Sequence, residues 1–206
     1  MARKVSTELE AFHTKRDKFF LAGTLDDQAQ AFCEWLHNLD AGRRPLLVVA
    51  SGGGDVDAAL MMVSAIQDFR RTSGHITAHV VSSAHSGALP VVQACSYRTA
   101  EKHACFTMHS ITIDVHQVAG SGLQAYVTEL NLLARKYAAI VLKRMTEGLT
   151  EDEVQSLTTQ VTNCLWGSGP VITGDAIQMY RLGLIDAVVD VELPPRSELL
   201  EQMRKN

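Results

Sequence analysis

The run Leu46-Leu47-Val48-Val49-Ala50 passes directly into Ser51-Gly52-Gly53-Gly54 and then into a helical pattern, and this junction most constrains what the chain can become. A continuous apolar run of that length reads as a strand buried on both faces, the kind that parallel sheets use. Parallel neighbours need crossover connections, usually helices. The rest of the chain supplies them, because short β-rich runs alternate with longer helical patterns from end to end. The fold expected is therefore α/β, with strands central and helices outside.

The alternation begins with a strand at Lys18 to Leu21 and a helix at Asp26 to Leu39, where Ala29, Phe32, Cys33 and Leu36 recur at helical spacing. Asp26 and Asp27 sit where a helix wants its cap and its negative first turn. After the glycine turn a helix is expected from Asp55 to Arg71, then a strand at Ile76 to Val81, a turn at Ser82 to Ala84, a helix from Ser86 to Ala94 and a strand from Cys105 to His109. From Leu123 to Met145 the positions Leu123, Tyr126, Val127, Leu130, Leu133, Ala134, Tyr137, Ile140 and Val141 trace one apolar stripe, with Ser121 as cap. Such a helix is roughly 35 Å long at 1.5 Å per residue. A domain of this size has a radius of gyration of about 17 Å, so the helix crosses the domain or projects from it and offers a subunit contact. Then follow a helix from Thr150 to Thr159, a Gly/Pro-punctuated segment from Trp166 to Pro170, a helix from Asp175 to Leu182 and a last strand from Ala187 to Val191. Residues 1–17 read as an N-terminal segment, 18–193 as one domain and 194–206 as a charged tail, helical or disordered.

Composition narrows the class of function. The 206 residues are 46% hydrophobic and 20% charged, enough to bury a core, which excludes a disordered chain and a disulfide miniprotein. A net charge of -4 leaves no basic excess for phosphates, so neither nucleic acid nor anionic membrane is an expected partner. Cys33, Cys95, Cys105 and Cys164 are widely spaced without a Cys-x-x-Cys, which argues against a zinc site and for buried thiols in a reducing, cytoplasmic setting.

Three places can carry chemistry. The three glycines end a strand and begin a helix, so their N-H groups can face an anion with no Cβ in the way. The glycine spacing fits neither a Walker A loop nor the dinucleotide fingerprint. Ser86, in Ser83-Ala84-His85-Ser86-Gly87-Ala88, follows one strand and opens a helix; on its own it reads either as that helix's cap or as an exposed hydroxyl beside the Gly87 N-H. Of eight histidines, His13, His37 and His116 fall in polar or helical-surface contexts, and His75 and His79 lie along a strand. His85 is next to Ser86 in sequence but would not face it in a helix. His109 ends a strand, where catalytic groups of α/β sheets meet a crevice.

Four motifs in order give these places a common meaning. Phe19-Phe20-Leu21-Ala22-Gly23-Thr24-Leu25-Asp26-Asp27 is similar to the hydrophobic-Leu-x-Gly-x-Ile-Asp-Asp entry of the Clp protease proteolytic subunits, the ClpP-like serine peptidases. Ser51-Gly52-Gly53-Gly54-Asp55-Val56 resembles their Ser-Pro-Gly-Gly-Ser-Val turn, Ser82 to Ala88 their Gly-x-Ala-x-Ser-Met-Gly, and Met108-His109 their Met-Ile-His. Gly183-Leu184-Ile185-Asp186 resembles the family's Gly-Leu-Ile-Asp terminus, and the long helix falls where its ring-to-ring handle lies. The resemblance covers Lys18 to Val191. It implies ClpP/crotonase-like repeated ββα units with a projecting handle helix. It also implies a serine endopeptidase with Ser86 as nucleophile, His109 as base, and Gly54 and Gly87 as oxyanion N-H donors.

By the same resemblance the substrate is a polypeptide, the assembly a homo-oligomeric ring, stacked on a second ring, the partner for folded substrates an ATP-driven unfoldase, and no metal or organic cofactor is required. Gly52 stands for the family's proline, Ser82 for a glycine, and Gly87-Ala88 for Met-Gly. No Asp or Glu lies between Glu153 and Asp175, where the family has its acid, and Trp166 to Pro170 reads as an insertion. The third catalytic position is open between Asn163, whose amide oxygen can accept a histidine N-H, a Ser86/His109 dyad completed by water, and Asp175. Two other functions are compatible with the sequence: a catalytically impaired Clp-like ring subunit, and a crotonase-type acyl-CoA enzyme.

Overall fold

The computed structural model describes residues 17–40, 42–72, 74–112 and 120–205. The expected N-terminal segment up to residue 16, with His13, and also His116, lie outside the described residues, as do the side chains of Ser121 and Leu123. In chain order the elements are β1 (Lys18–Thr24), α1 (Ala29–His37), β2 (Leu46–Gly53), α2 (Val56–Thr72), β3 (Thr77–His85), α3 (Ala88–Ala94), β4 (Tyr97–Ala100), β5 (Cys105–Met108), α4 (Gly120–Met145), α5 (Glu151–Leu165), β6 (Ile172–Asp175), α6 (Ala176–Arg181), β7 (Ala187–Val188) and α7 (Arg196–Lys205).

The sheet runs β1-β2-β3-β4-β7, with every pair parallel. β3 forks the sheet. Its first half pairs with β4 (Thr77↔Tyr97 to Val80↔Ala100), and its second half pairs in parallel with β5 (Ser83↔Cys105, Ala84↔Phe106, His85↔Thr107). β6 then closes on β5 as the one antiparallel pair among the described strands. This is an α/β fold with a mostly parallel sheet flanked by helices.

The apolar run behaves as buried parallel strands do. Leu46, Leu47 and Val49 are buried in β2, and Leu21, Phe32, Ile66 and Val80 have no exposed surface. Each large side chain so buried contributes roughly 1.5–3 kcal/mol. Phe19, Phe32 and Trp35 pack ring against ring, the first two edge to face with centroids 5.2 Å apart, and so hold α1 on the outer strand.

Several expected boundaries move. β3 continues through Ser82 to His85, so the turn expected there is strand, held by the pairing with β5. β4 and β6 were not expected at all: Tyr97-Arg98-Thr99-Ala100 and Ile172-Thr173-Gly174-Asp175 are too short and polar to show a period, and only their partners make them strands. α1 begins at Ala29 after Gln28, so Asp26 and Asp27 do not cap it. α5 runs on to Leu165, entered through a capping box in which Thr150 and Glu153 bond each other's main-chain N-H. α4 already includes position 121, so Ser121 does not cap it. The final strand is only Ala187–Val188, and the C-terminal tail is helix, with Leu200 buried. The thiols are free, but they are not uniformly buried: Cys95 and Cys164 are, Cys33 is half-buried and Cys105 is exposed.

Two arginines fasten the C-terminal third. Arg98 is 1% exposed, and its main-chain N-H and Nε donate to Asp186 Oδ2 at 2.8 Å each, while its Nη1 donates to Gln93 Oε1 at 2.6 Å. The Gly183 to Asp186 motif is thereby the partner of a buried cation. Arg196, at the start of α7, donates to the carbonyl of Met145, the last residue of α4, and to that of Glu147 just beyond it, at 2.6 and 2.7 Å.

The long helix divides in two. Ala134, Tyr137, Ala138, Val141 and Met145 are buried, whereas no side chain from 124 to 133 is, and Val127 and Leu132 are exposed. The single apolar stripe of the sequence is thus core only in its C-terminal half.

Candidate active site

The fork in the sheet positions the site. Because His85 pairs with Thr107, β3 and β5 deliver Ser86 and His109 at adjacent strand ends. The Ser86 N-H continues the ladder by donating to the Thr107 carbonyl at 2.7 Å. Ser86 then turns at φ +51°, and α3 starts at Ala88. A side chain in that left-handed region costs about 1–2 kcal/mol, so the elbow is held by its surroundings. Its carbonyl accepts from Leu89 N at 3.1 Å and from the Tyr137 hydroxyl of α4. Ser86 is not the helix cap: that position is Gly87, which makes no side-chain cap bond. Ser86 is half-buried at a strand-to-helix elbow, the geometry that presents a nucleophile.

The glycine turn meets the elbow from below. A Cβ on Gly53 would lie 2.6 Å from the Ser86 Cβ and 2.7 Å from the His85 carbonyl, so the absence of a side chain there permits the approach. Gly54 is fixed from its other side, since a Cβ there would meet Asp26 Oδ1 at 2.8 Å, and that same oxygen accepts the Asp55 N-H at 2.6 Å. Asp26 therefore holds the glycine turn. Inside the turn the buried Ser51 hydroxyl donates to the Gly23 carbonyl at 2.6 Å and accepts from Gly53 N at 3.1 Å.

Gly54, Ser86, Gly87 and His109 line one small cleft of ≈ 90 Å³, together with Ser110 and Tyr137 among others. Gly87 is buried at its floor, and His109 and Gly54 are open to solvent. The His109 Nδ1 lies 2.8 Å from the Ser110 carbonyl oxygen. A carbonyl only accepts, so Nδ1 carries a proton, and in the neutral ring that bond leaves Nε2 as the acceptor a general base needs.

Asn163 is on the exposed side of α5 and is not among the residues lining the cleft. Its main-chain carbonyl accepts from Ser168 N and Gly169 N at 3.0 and 2.9 Å, and its Cβ faces Gly169. Asp175 caps α6 by accepting the Gln178 N-H at 2.8 Å, and it pairs with Cys105. It therefore stands at the start of β5, about 10 Å of strand from the end that leads to His109. The expected insertion borders the site nonetheless, because Gly167 is seated against Ser110.

Three residues of the site were not among those expected: Ser110, Tyr137 and Asp26. Tyr137 looked like one more apolar position of a helix, and Asp26 like a helix cap. The only signal for Asp26 was its place in the Leu25-Asp26-Asp27 motif. His79, expected along a strand, is buried in β3 between Thr99 Oγ1 at 2.9 Å and Glu101 Oε1 at 3.3 Å. Burial lowers its pKa despite the nearby carboxylate.

Among the described residues no group of His, Cys, Asp and Glu could hold a metal ion, and no helix is long and apolar enough to cross a membrane. A larger groove of ≈ 890 Å³ lies between α5, α6 and α7, with no histidine or cysteine in its lining. Comparison with protein-family models and with curated proteins finds no match to this chain.

Proposed function

We propose that the chain is a serine endopeptidase of the ClpP type, built of repeated ββα units with a handle helix, cytoplasmic, and working inside a homo-oligomeric, stacked ring. One observation carries the reading. Ser86 sits at φ +51° on a strand-to-helix elbow and shares a cleft with a histidine whose Nδ1 is already engaged by a carbonyl. In the reaction the Ser86 hydroxyl attacks the peptide carbonyl while His109 Nε2 takes its proton and later returns it to the leaving amine. The negative charge that develops on the carbonyl oxygen falls between the N-H groups of Gly54 and Gly87. Water then repeats the cycle on the acyl-enzyme, again through His109.

The ring is supported by α4, which leaves residues 124–133 without a buried side chain and two large apolar residues exposed. An unfoldase for folded substrates belongs to the same proposal. The test is hydrolysis of a fluorogenic peptide by the assembled chain. Ser86→Ala and His109→Ala should each lower kcat by about 10⁴-fold or more. Turnover that survives either change would exclude the mechanism.

A second reading, a catalytically impaired ring subunit, is favoured by one feature. The partner of His109 Nδ1 is a neutral carbonyl, which orients the ring but stabilises the imidazolium less than a carboxylate would. Assembly without phosphonate labelling would select it.

A further inference from the structure

The Ser86 carbonyl oxygen and the Gly87 N-H belong to one trans peptide unit, and in such a unit the two groups lie in one plane and point in opposite directions. Whatever fixes the oxygen fixes the N-H. The oxygen has two lone pairs, and both are used: Leu89 N donates to it from inside α3 at 3.1 Å, and the Tyr137 hydroxyl donates to it from α4. Tyr137 is 3% exposed and lines the cleft.

We propose that Tyr137 is a positioning residue that acts through the Ser86–Gly87 peptide, aiming the Gly87 N-H into the cleft and holding Ser86 in its left-handed turn. The effect on turnover rests on the reading of Ser86 as nucleophile; the hold on the elbow does not. Burial, with Cys164 adding to it, pushes the phenol above its ordinary range, so the hydroxyl keeps its proton and remains a donor at every working pH. The element that brings this donor is the helix whose other half is unpacked, so docking of α4 and alignment of the elbow are one event.

The experiment compares wild type with Tyr137→Phe as full assembled chains, reading hydrogen exchange of the segment 86–92 and the kinetics of peptide hydrolysis. The phenylalanine variant should exchange about tenfold faster in that segment, with β2 unchanged, and kcat should fall about tenfold with KM within twofold, because an oxyanion donor matters most in the transition state. A purely structural role would lower melting temperature without splitting kcat from KM. Replacing Tyr137 by 4-aminophenylalanine keeps a weaker donor of the same shape and should fall between the two in both readouts; it carries the test if the phenylalanine variant does not fold. Unchanged exchange at 86–92 overturns the hold on the elbow, and faster exchange with wild-type kcat overturns its catalytic consequence. Faster exchange in a chain whose wild type neither hydrolyses peptide nor takes a phosphonate leaves the elbow claim standing and removes the peptidase reading.

Discussion

Gly53 and Ser86 occupy space that only one of them can fill with a side chain: a Cβ on Gly53 would lie 2.6 Å from the Ser86 Cβ, closer than real Cβ atoms approach. Gly53 is also at φ +96°, where a side chain is strained whatever the space. Gly53→Ala should therefore destabilise the fold by about 2–4 kcal/mol, combining overpacking with the left-handed backbone. Urea unfolding measures it directly. A loss below about 0.5 kcal/mol, the level of an ordinary surface change, would mean that the turn and the elbow are not in contact. Gly52→Ala is the control, because nothing lies within 4 Å of a Cβ there.

Asn163 should prove dispensable. The Ser110 carbonyl already engages His109 Nδ1, and Asn163 stands on the exposed side of α5. Asn163→Ala should leave kcat/KM within about threefold of wild type, the range of a change of ~0.5 kcal/mol. A loss of tenfold or more, about 1.4 kcal/mol of transition-state stabilisation, would return the third catalytic position to the Asn163 amide.

Leu132, 53% exposed on the unpacked half of α4, is the place to test the ring without touching the core. Leu132→Glu should shift the native mass from a ring to small species while circular dichroism stays that of the folded chain. Leu130 and Leu133, half-buried on the same stretch, should respond alike, with some loss of stability. A wild-type chain that stays monomeric at high concentration would contradict the assembly.

What could be read from the residues, and what could not, follows from where the information lies. The buried run at Leu46 to Ala50 announced a parallel strand because both of its faces are core, and Ser86, His109, Gly54 and Gly87 could be singled out because each lies just past the end of a strand, where the structure gathers them at one cleft. β4 and β6 were invisible because their strand character lies in their neighbours: Arg98 in β4 is buried because Gln93 and Asp186, the latter 88 residues on, accept its hydrogen bonds. The turn expected at Ser82 to Ala84 is strand for the same reason, since β5 pairs with it. Tyr137 was hidden by its own periodicity. An apolar helical stripe says that a residue faces inward, not that its hydroxyl reaches a carbonyl 51 residues away.

Reaction of the native chain with a fluorophosphonate, followed by mapping of the modified peptide by mass spectrometry, asks whether Ser86 is a nucleophile made reactive by His109. One phosphonate per chain is expected on Ser86, with labelling abolished by Ser86→Ala and slowed by His109→Ala, and native mass unchanged in both. Labelling that persists in Ser86→Ala, or a folded, assembled wild type that takes no phosphonate at all, would contradict it.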